Sequence, residues 1–344
     1  MPDGQPVYRF TLANATGASF SIINLGATVQ SLYMPDRAGK LTDVVLGYDH
    51  LDGYLKNNPY LGAIVGRYGN RIHNGQFSLN GKMYQLAQND GEQHLHGGPQ
   101  GFDKRLWQLE EITIADGVGV RATLDSPDGE ENYPGHVRLD IRISLSNDNE
   151  LRFEYSGTTN QPTILNPTHH SYFNLSGFPD TSIESHTLQI HADGYTPVNA
   201  ALIPSGQIER VAGSPMDFRH PVPIEANIGQ PHEQLTFGGG FDHNFVLADY
   251  QPGKVREIAV LTDAISGRVM TVLSDQPGVQ FYSGNNLDGS IIGKEGFVYG
   301  RRCGLCLEAQ HFPDSPNHAD FPSTVVTPES PYHQFTSYRF STSG

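Results

Sequence analysis

The chain is short of cysteine, basic residues and long apolar runs, and each shortage excludes something. Two cysteines, Cys303 and Cys306, in 344 residues cannot build a disulfide framework, so an oxidising compartment is not required. Lys and Arg together number 22 against 37 Asp and Glu, a formal charge of −15. That balance argues against nucleic acid and against anionic membranes as partners. No stretch approaches the roughly 18 uncharged apolar residues of a membrane span. The N-terminal run Met1-Pro2-Asp3-Gly4-Gln5-Pro6 has neither the basic nor the apolar region of a secretory leader. The expectation is a cytoplasmic protein. A sustained apolar stripe at helical spacing is also missing, so long helices are not expected.

What is abundant is punctuation. There are 38 glycines and 23 prolines, and turn signals arrive roughly every 8–12 residues, as in a sandwich or barrel. Between them the pattern alternates. In Val137-Arg138-Leu139-Asp140-Ile141-Arg142-Ile143-Ser144-Leu145 every odd position is apolar and every even one polar, and Leu151–Tyr155 repeats the pattern after Asn147-Asp148-Asn149. These read as paired antiparallel strands with one wet face. Phe77–Tyr84 reads as a hairpin on an Asn80-Gly81 turn, because a type I′ turn needs positive φ at both central residues. Further strands are expected over 7–12, 19–24, 29–34, 120–124, 187–191, 258–261 and 268–273. No fixed-period repeat and no low-complexity linker divides the chain, so residues 1–344 read as one large antiparallel β-sandwich domain with few short helices. The segments 213–223 and 238–240 read as long functional loops.

Several side chains could carry chemistry. Glu308, in Cys306-Leu307-Glu308-Ala309-Gln310-His311-Phe312-Pro313-Asp314-Ser315-Pro316-Asn317, is expected at the end of a short apolar strand, placed to take a proton from a small polar substrate. His169-His170 follow Pro167 and Thr168; as neighbours on a strand they face opposite sides, so one at most meets a substrate, and that one can exchange a proton near neutrality. His94 and His96 are two apart and share a face if extended, as substrate hydrogen-bonders, a metal-ligand pair or loop histidines bonded to backbone. Gly97 and Gly98 would let a substrate approach the backbone. Arg71, after Asn70, offers forked donors for hydroxyls or an ordinary surface charge. Asp242 could bind vicinal hydroxyls or cap a turn. Cys303 and Cys306, three apart on an expected strand, point to opposite faces and do not pair. Trp107 is a stacking platform for a sugar or a core residue. An acidic and an imidazole run of this kind together suggest acid/base chemistry on a sugar.

These segments resemble the aldose 1-epimerases, also called galactose mutarotases. The resemblance runs through Asn24–Thr28, Gly66–Ile72, His94–Trp107, His169–Gly177, Phe241–Asn244, Gln280–Asn285 and Leu307–Asn317. It implies a galactose mutarotase-like supersandwich of antiparallel strands. It implies His170 as general acid to the pyranose ring oxygen and Glu308 as general base to the anomeric hydroxyl, on opposite sides of one hemiacetal. Asn70, Arg71, His96, Asp242 and Gln280 are implied as substrate-binding residues. Ring opening, rotation about C1–C2 and reclosure then exchange the anomers, with no metal and no cofactor. The implied partner is a free monosaccharide such as glucose or galactose, and the chain works as a monomer or homodimer. Tyr68-Gly69 departs from the family pattern by its bulkier first residue. Two other readings are compatible with the residues alone: a metalloenzyme using His94, His96, His170 and Glu308, and a carbohydrate-binding or sensor sandwich without catalysis.

Overall fold

The structure, a computed structural model, describes Met1 and residues 4–56, 59–179 and 181–343. Its largest sheet has nine strands, every neighbour antiparallel. In spatial order they are Gln108–Ile114, Gly117–Ser126, Val137–Ser146, Glu150–Thr159, Tyr332–Thr342, Arg268–Ser274, Arg256–Thr262, Thr187–Ile190 and Val222–Pro223. The alternation read from the sequence is what builds it. Val137, Leu139, Ile141 and Ile143 are fully buried, whereas Arg138 and Arg142 are exposed. Ile143 lies opposite Phe153, and Ile141 opposite Tyr155, in the next strand. Each such side chain stabilises the fold by about 1.5–3 kcal/mol, and a one-residue slip would turn the whole set outward.

A second sheet has five strands, in the order Glu209–Arg210, Ala192–Tyr195, Asp242–Leu247, Gly278–Tyr282 and Cys306–Gln310. One of its faces packs on the large sheet. Phe245, Val279, Phe281, Leu307 and Ala309 share one apolar cluster with Ile141, Phe153, Met270, Val272 and Tyr338. The Tyr338 hydroxyl donates to the Leu307 carbonyl at 3.1 Å across the interface. Phe20, Ile22 and Val29, from a four-stranded N-terminal sheet, join the same cluster. The antiparallel sandwich is therefore observed. Among the described residues the α-helices are Leu51–Leu55, Ile224–Ile228 and Glu233–Gly238, and no helix is long and apolar enough to cross a membrane.

The hairpin forms as expected. Strands Gln76–Leu79 and Lys82–Gln85 flank Asn80 and Gly81 at φ 52° and 77°. Several loop expectations need correction. Residues 213–223 insert Met216 and Phe218 into the main core, so that segment is a core cover. Gly238 ends a helix that Gly239 caps in the left-handed region at φ 64°. Trp107 is buried in the core, its indole N–H donating to the Phe102 carbonyl at 3.0 Å. Cys306 opens a strand while Cys303 sits in the turn before it, so no shared strand sets their relation.

Candidate active site

The outer face of the five-stranded sheet carries the polar partners of its core residues. Period-2 alternation sends Leu307 and Ala309 inward, hence Cys306, Glu308 and Gln310 outward. Register does the rest: Glu308 lies opposite Gln280, which lies opposite Asn244, while Cys306 lies opposite Tyr282, which lies opposite Asp242. Glu308 is thus in the middle of its strand and not at its end. The interior position is what buries it.

Three other segments close a pocket over this face. Thr168 and His169 pair with Val65 and Ile64. His169 points into the core, stacked on Phe153 at 4.2 Å between centroids, with Ser171 Oγ 2.9 Å from its Nε2. Its neighbour His170 points the other way, into the pocket. The short Arg71–Ile72 and His94–Leu95 strands pair, which brings Asn70 and His96 together at their ends, both at positive φ. They lock reciprocally. The His96 N–H donates to the Asn70 carbonyl, and the Asn70 N–H donates to His96 Nδ1, each at 3.1 Å. Pro59, Tyr60, Leu95, Tyr172, Tyr282 and Asn286 complete the wall of a pocket of about 130 Å³. A wider hollow of about 690 Å³ beside Tyr48, Asp52 and Ile292 brings together no buried acid and base.

At the pocket floor His170 Nε2 lies 3.7 Å from Glu308 Oε1, both side chains almost fully buried. Burial holds Glu308 well above the usual carboxyl range; Asp242 adds to this and Arg71 opposes it. Burial also lowers His170 to about 4. Both shifts run in the direction that favours the uncharged form of each group. Glu308 Oε2 is buried and has no hydrogen-bond partner among the described residues. A buried carboxyl oxygen in that condition calls for a ligand hydroxyl or a water. The acid and base expected on opposite sides of a hemiacetal are instead side by side. That arrangement suits a group whose two oxygens share one carbon.

Above them, Arg71 bridges Asp90 (Nε to Oδ2, 2.7 Å) and Asp242 (Nη1 to Oδ2, 3.8 Å). Asp242 caps no turn. It opens a strand, its Oδ1 accepts from Gln280 Nε2 at 2.7 Å, and burial raises its pKa. Gln280 stands one row back, bonded to Asp242, and does not line the pocket.

His94 departs from expectation. His96 turns out of the strand, so the two imidazoles share no face. His94 Nδ1 is 2.7 Å from the Ala87 carbonyl and its Nε2 is 2.6 Å from the Tyr133 hydroxyl, away from the pocket. Gly97 does not admit a ligand either; a Cβ there would lie 1.7 Å from the Gly66 carbonyl oxygen. The metal reading loses a ligand with His94. His96, His170 and Glu308 do bring ligand-type atoms within 4.8 Å of one another. However, an amide N–H occupies His96 Nδ1, which fixes the neutral ring's proton on Nε2. Neither nitrogen then offers a lone pair, whereas ligating histidines donate through the nitrogen that does not bind metal.

Sequence reasoning missed Asp90, which pairs with Arg71, the wall residues Tyr60, Tyr172, Tyr282 and Asn286, and the contact of Cys306 with His170. Period-2 counting from Gln280 and Glu308 would have found Tyr282 and Cys306. Nothing local announces Tyr60, which a positive φ of 64° turns toward His96 and His170, its ring centroid 4.6 and 5.7 Å from theirs.

The sequence profile described as aldose 1-epimerase matches residues 8–339. The chain belongs to the aldose 1-epimerase family. Galactose mutarotase of Mus musculus is 43% identical over 338 residues, covering 98% of this chain and 95% of that one. Aldose 1-epimerase of Escherichia coli K12 is 36% identical over 342 residues, covering 98% and 96%. Among solved structures, an aldose epimerase homologue from C. elegans superposes with TM-score 0.89 at 28% identity, covering 98% of this chain and all of that one. Galactose 1-epimerase from Lactobacillus acidophilus gives 0.88 at 29%, covering 99% and 96%.

Proposed function

We propose that this aldose 1-epimerase family member interconverts the α and β anomers of a free aldose, with Glu308 as general base and His170 as general acid. The observation that carries the reading is the buried Glu308–His170 pair at 3.7 Å, with Glu308 Oε2 unpartnered, inside a pocket rimmed by hydrogen-bonding groups. The anomeric hydroxyl is a poor acid and the ring oxygen a poor base. Moving both protons together avoids either unstable ion. Hydroxyls donating to Glu308 draw the pair's proton onto His170, and each positioned proton-transfer group contributes typically about 10²–10⁴-fold. Glu308 takes the anomeric proton as His170 gives one to the ring oxygen. The ring opens, C1–C2 rotates, and closure with the roles reversed yields the other anomer.

His96, held as a neutral Nε2–H donor by Asn70, is suited to polarise the ring oxygen. Asp242, Arg71 and Asn70 are suited to the remaining hydroxyls, with Gln280 holding Asp242 in place. The reading has one catalytic unit acting on a free monosaccharide such as glucose or galactose, in the cytoplasm, as monomer or homodimer. The test is polarimetry on freshly dissolved α-glucose and α-galactose. Enzyme should speed the approach to the equilibrium rotation; sugar binding with no change in that rate would convert the reading to a sensor or lectin-like role.

A further inference from the structure

Two side chains of one strand bracket the His170 ring. Cys306 and Glu308 are two residues apart in Cys306–Gln310 and share its outer face. Glu308 Oε1 lies 3.7 Å from Nε2, and Cys306 Sγ lies 3.5 Å from Nδ1. We propose that the Cys306 thiol is a positioning residue that holds the fixed proton of His170 on Nδ1, leaving Nε2 as the nitrogen that gives and recovers the substrate proton. The proposal rests on the reading of His170 as the acid.

The cycle requires that tautomer. The imidazolium passes its Nε2 proton to the ring oxygen while the Glu308 carboxylate takes the anomeric proton, so no net proton is gained or lost. His170 is then neutral, and on closure Nε2 must take the proton back from the C5 hydroxyl. It can do so only if the remaining proton sits on Nδ1. An unconstrained histidine in water favours Nε2–H, so an acceptor at Nδ1 is needed, and the hydrogen bond at one ring nitrogen sets the state of the other. Sulfur is a weak acceptor, and burial pushes the Cys306 thiol up so that it stays neutral. A carboxylate there would stabilise the imidazolium and weaken it as an acid; a neutral thiol orients the ring without that effect. The contrast with His96 is direct. There a backbone N–H meets Nδ1 and makes Nε2 a permanent donor. One pocket thus holds two histidines set in opposite tautomers by opposite partners.

The other groups facing His170 are the His96 ring at 5.1 Å, Tyr172 at 5.2 Å and Tyr60 at 5.7 Å between centroids, with Arg71 and Asp242 across the pocket. None of these ring contacts supplies an acceptor at Nδ1; the residue's own backbone carbonyl also bonds the ring, so the Cys306→Ala comparison isolates the thiol's share.

The test uses the full chain labelled with ¹⁵N-histidine, with Cys306→Ala and Cys306→Ser. In the unsubstituted enzyme at neutral pH the His170 ¹⁵N shifts should report Nδ1–H. In Cys306→Ala they should move to Nε2–H, and kcat should fall about 3–10-fold, the value of one ordinary hydrogen bond, with KM unchanged. Cys306→Ser should restore both. A His170 already Nε2–H in the unsubstituted enzyme overturns the proposal, as does a Cys306→Ala variant with unaltered tautomer and kcat. Should Cys306→Ala not fold, the tautomer of the unsubstituted enzyme decides. Failure of the acid assignment is separately visible as full turnover in His170→Asn.

Discussion

Replacing Glu308 with Gln separates chemistry from architecture. The amide has the size of the carboxyl it replaces and sits in the same strand-interior position opposite Gln280. It can hydrogen-bond to a sugar hydroxyl, but it cannot take a proton. Losing one positioned base costs about 10²–10⁴-fold in kcat, a barrier increase of about 3–5 kcal/mol. On the proposed reading affinity should barely change, because Asn70, Arg71 and Asp242, the groups assigned to the hydroxyls, are untouched. Stability should hold as well. Burial disfavours the charged form of Glu308, and an amide is a neutral isostere, so the variant should melt at or slightly above the wild-type temperature. The assays are polarimetric kcat and KM, sugar binding by calorimetry, and thermal unfolding. Near-wild-type kcat in a folded Glu308→Gln protein would remove Glu308 as the base. A lost kcat accompanied by a collapsed melting temperature would show that the carboxylate is structural.

His170→Asn should likewise lose kcat by about 10²-fold or more while still binding sugar; a variant that loses affinity alone recasts His170 as a binder. The rate should be bell-shaped in pH. The mechanism needs one proton in the pair, so a second proton on His170, lowered to about 4, silences it on the acid side, and loss of the last proton from Glu308, raised by burial, silences it on the basic side; a kcat/KM that does not fall on acidification through pH 4 contradicts this. His94→Ala should cost about 2–4 kcal/mol, since it leaves the buried Tyr133 hydroxyl and Ala87 carbonyl unpaired, yet kcat of the folded protein should stay at the wild-type value. Prolonged chelator dialysis should leave turnover intact, given the His96 tautomer; loss of activity restored by zinc would revive the metal reading. Acidification from pH 6.5 toward 4 should destabilise the fold through the buried His94, His169, His186, His243 and His311. Burial lowers each of them to between about 3 and 4, so the unfolded chain binds the extra protons; a melting temperature independent of pH over that range argues against it.

Local pattern settled the parts of this protein that depend on local pattern. Alternation over 137–155 gave paired strands, because a half-buried sheet face demands period 2. Asn80-Gly81 gave its hairpin, because few other residues tolerate two successive positive φ values. Adjacency alone divided His169 from His170 into core and pocket. The resemblance of scattered motifs pointed to the family. What lay outside local pattern was decided by pairing between distant segments. Glu308 is buried because its strand is flanked by Gly278–Tyr282 and roofed by the loops of Tyr60, Asn70 and His170, none of them near it in sequence. His94 and His96 look equivalent in the chain, but the backbone turn at His96 and the Tyr133 hydroxyl sent them to different places. The shifted acidities come chiefly from desolvation, with Asp242 and Arg71 acting in opposite senses on the carboxyl. Those are properties of the assembled interior, and a one-dimensional spacing carries no record of which side chains will share it.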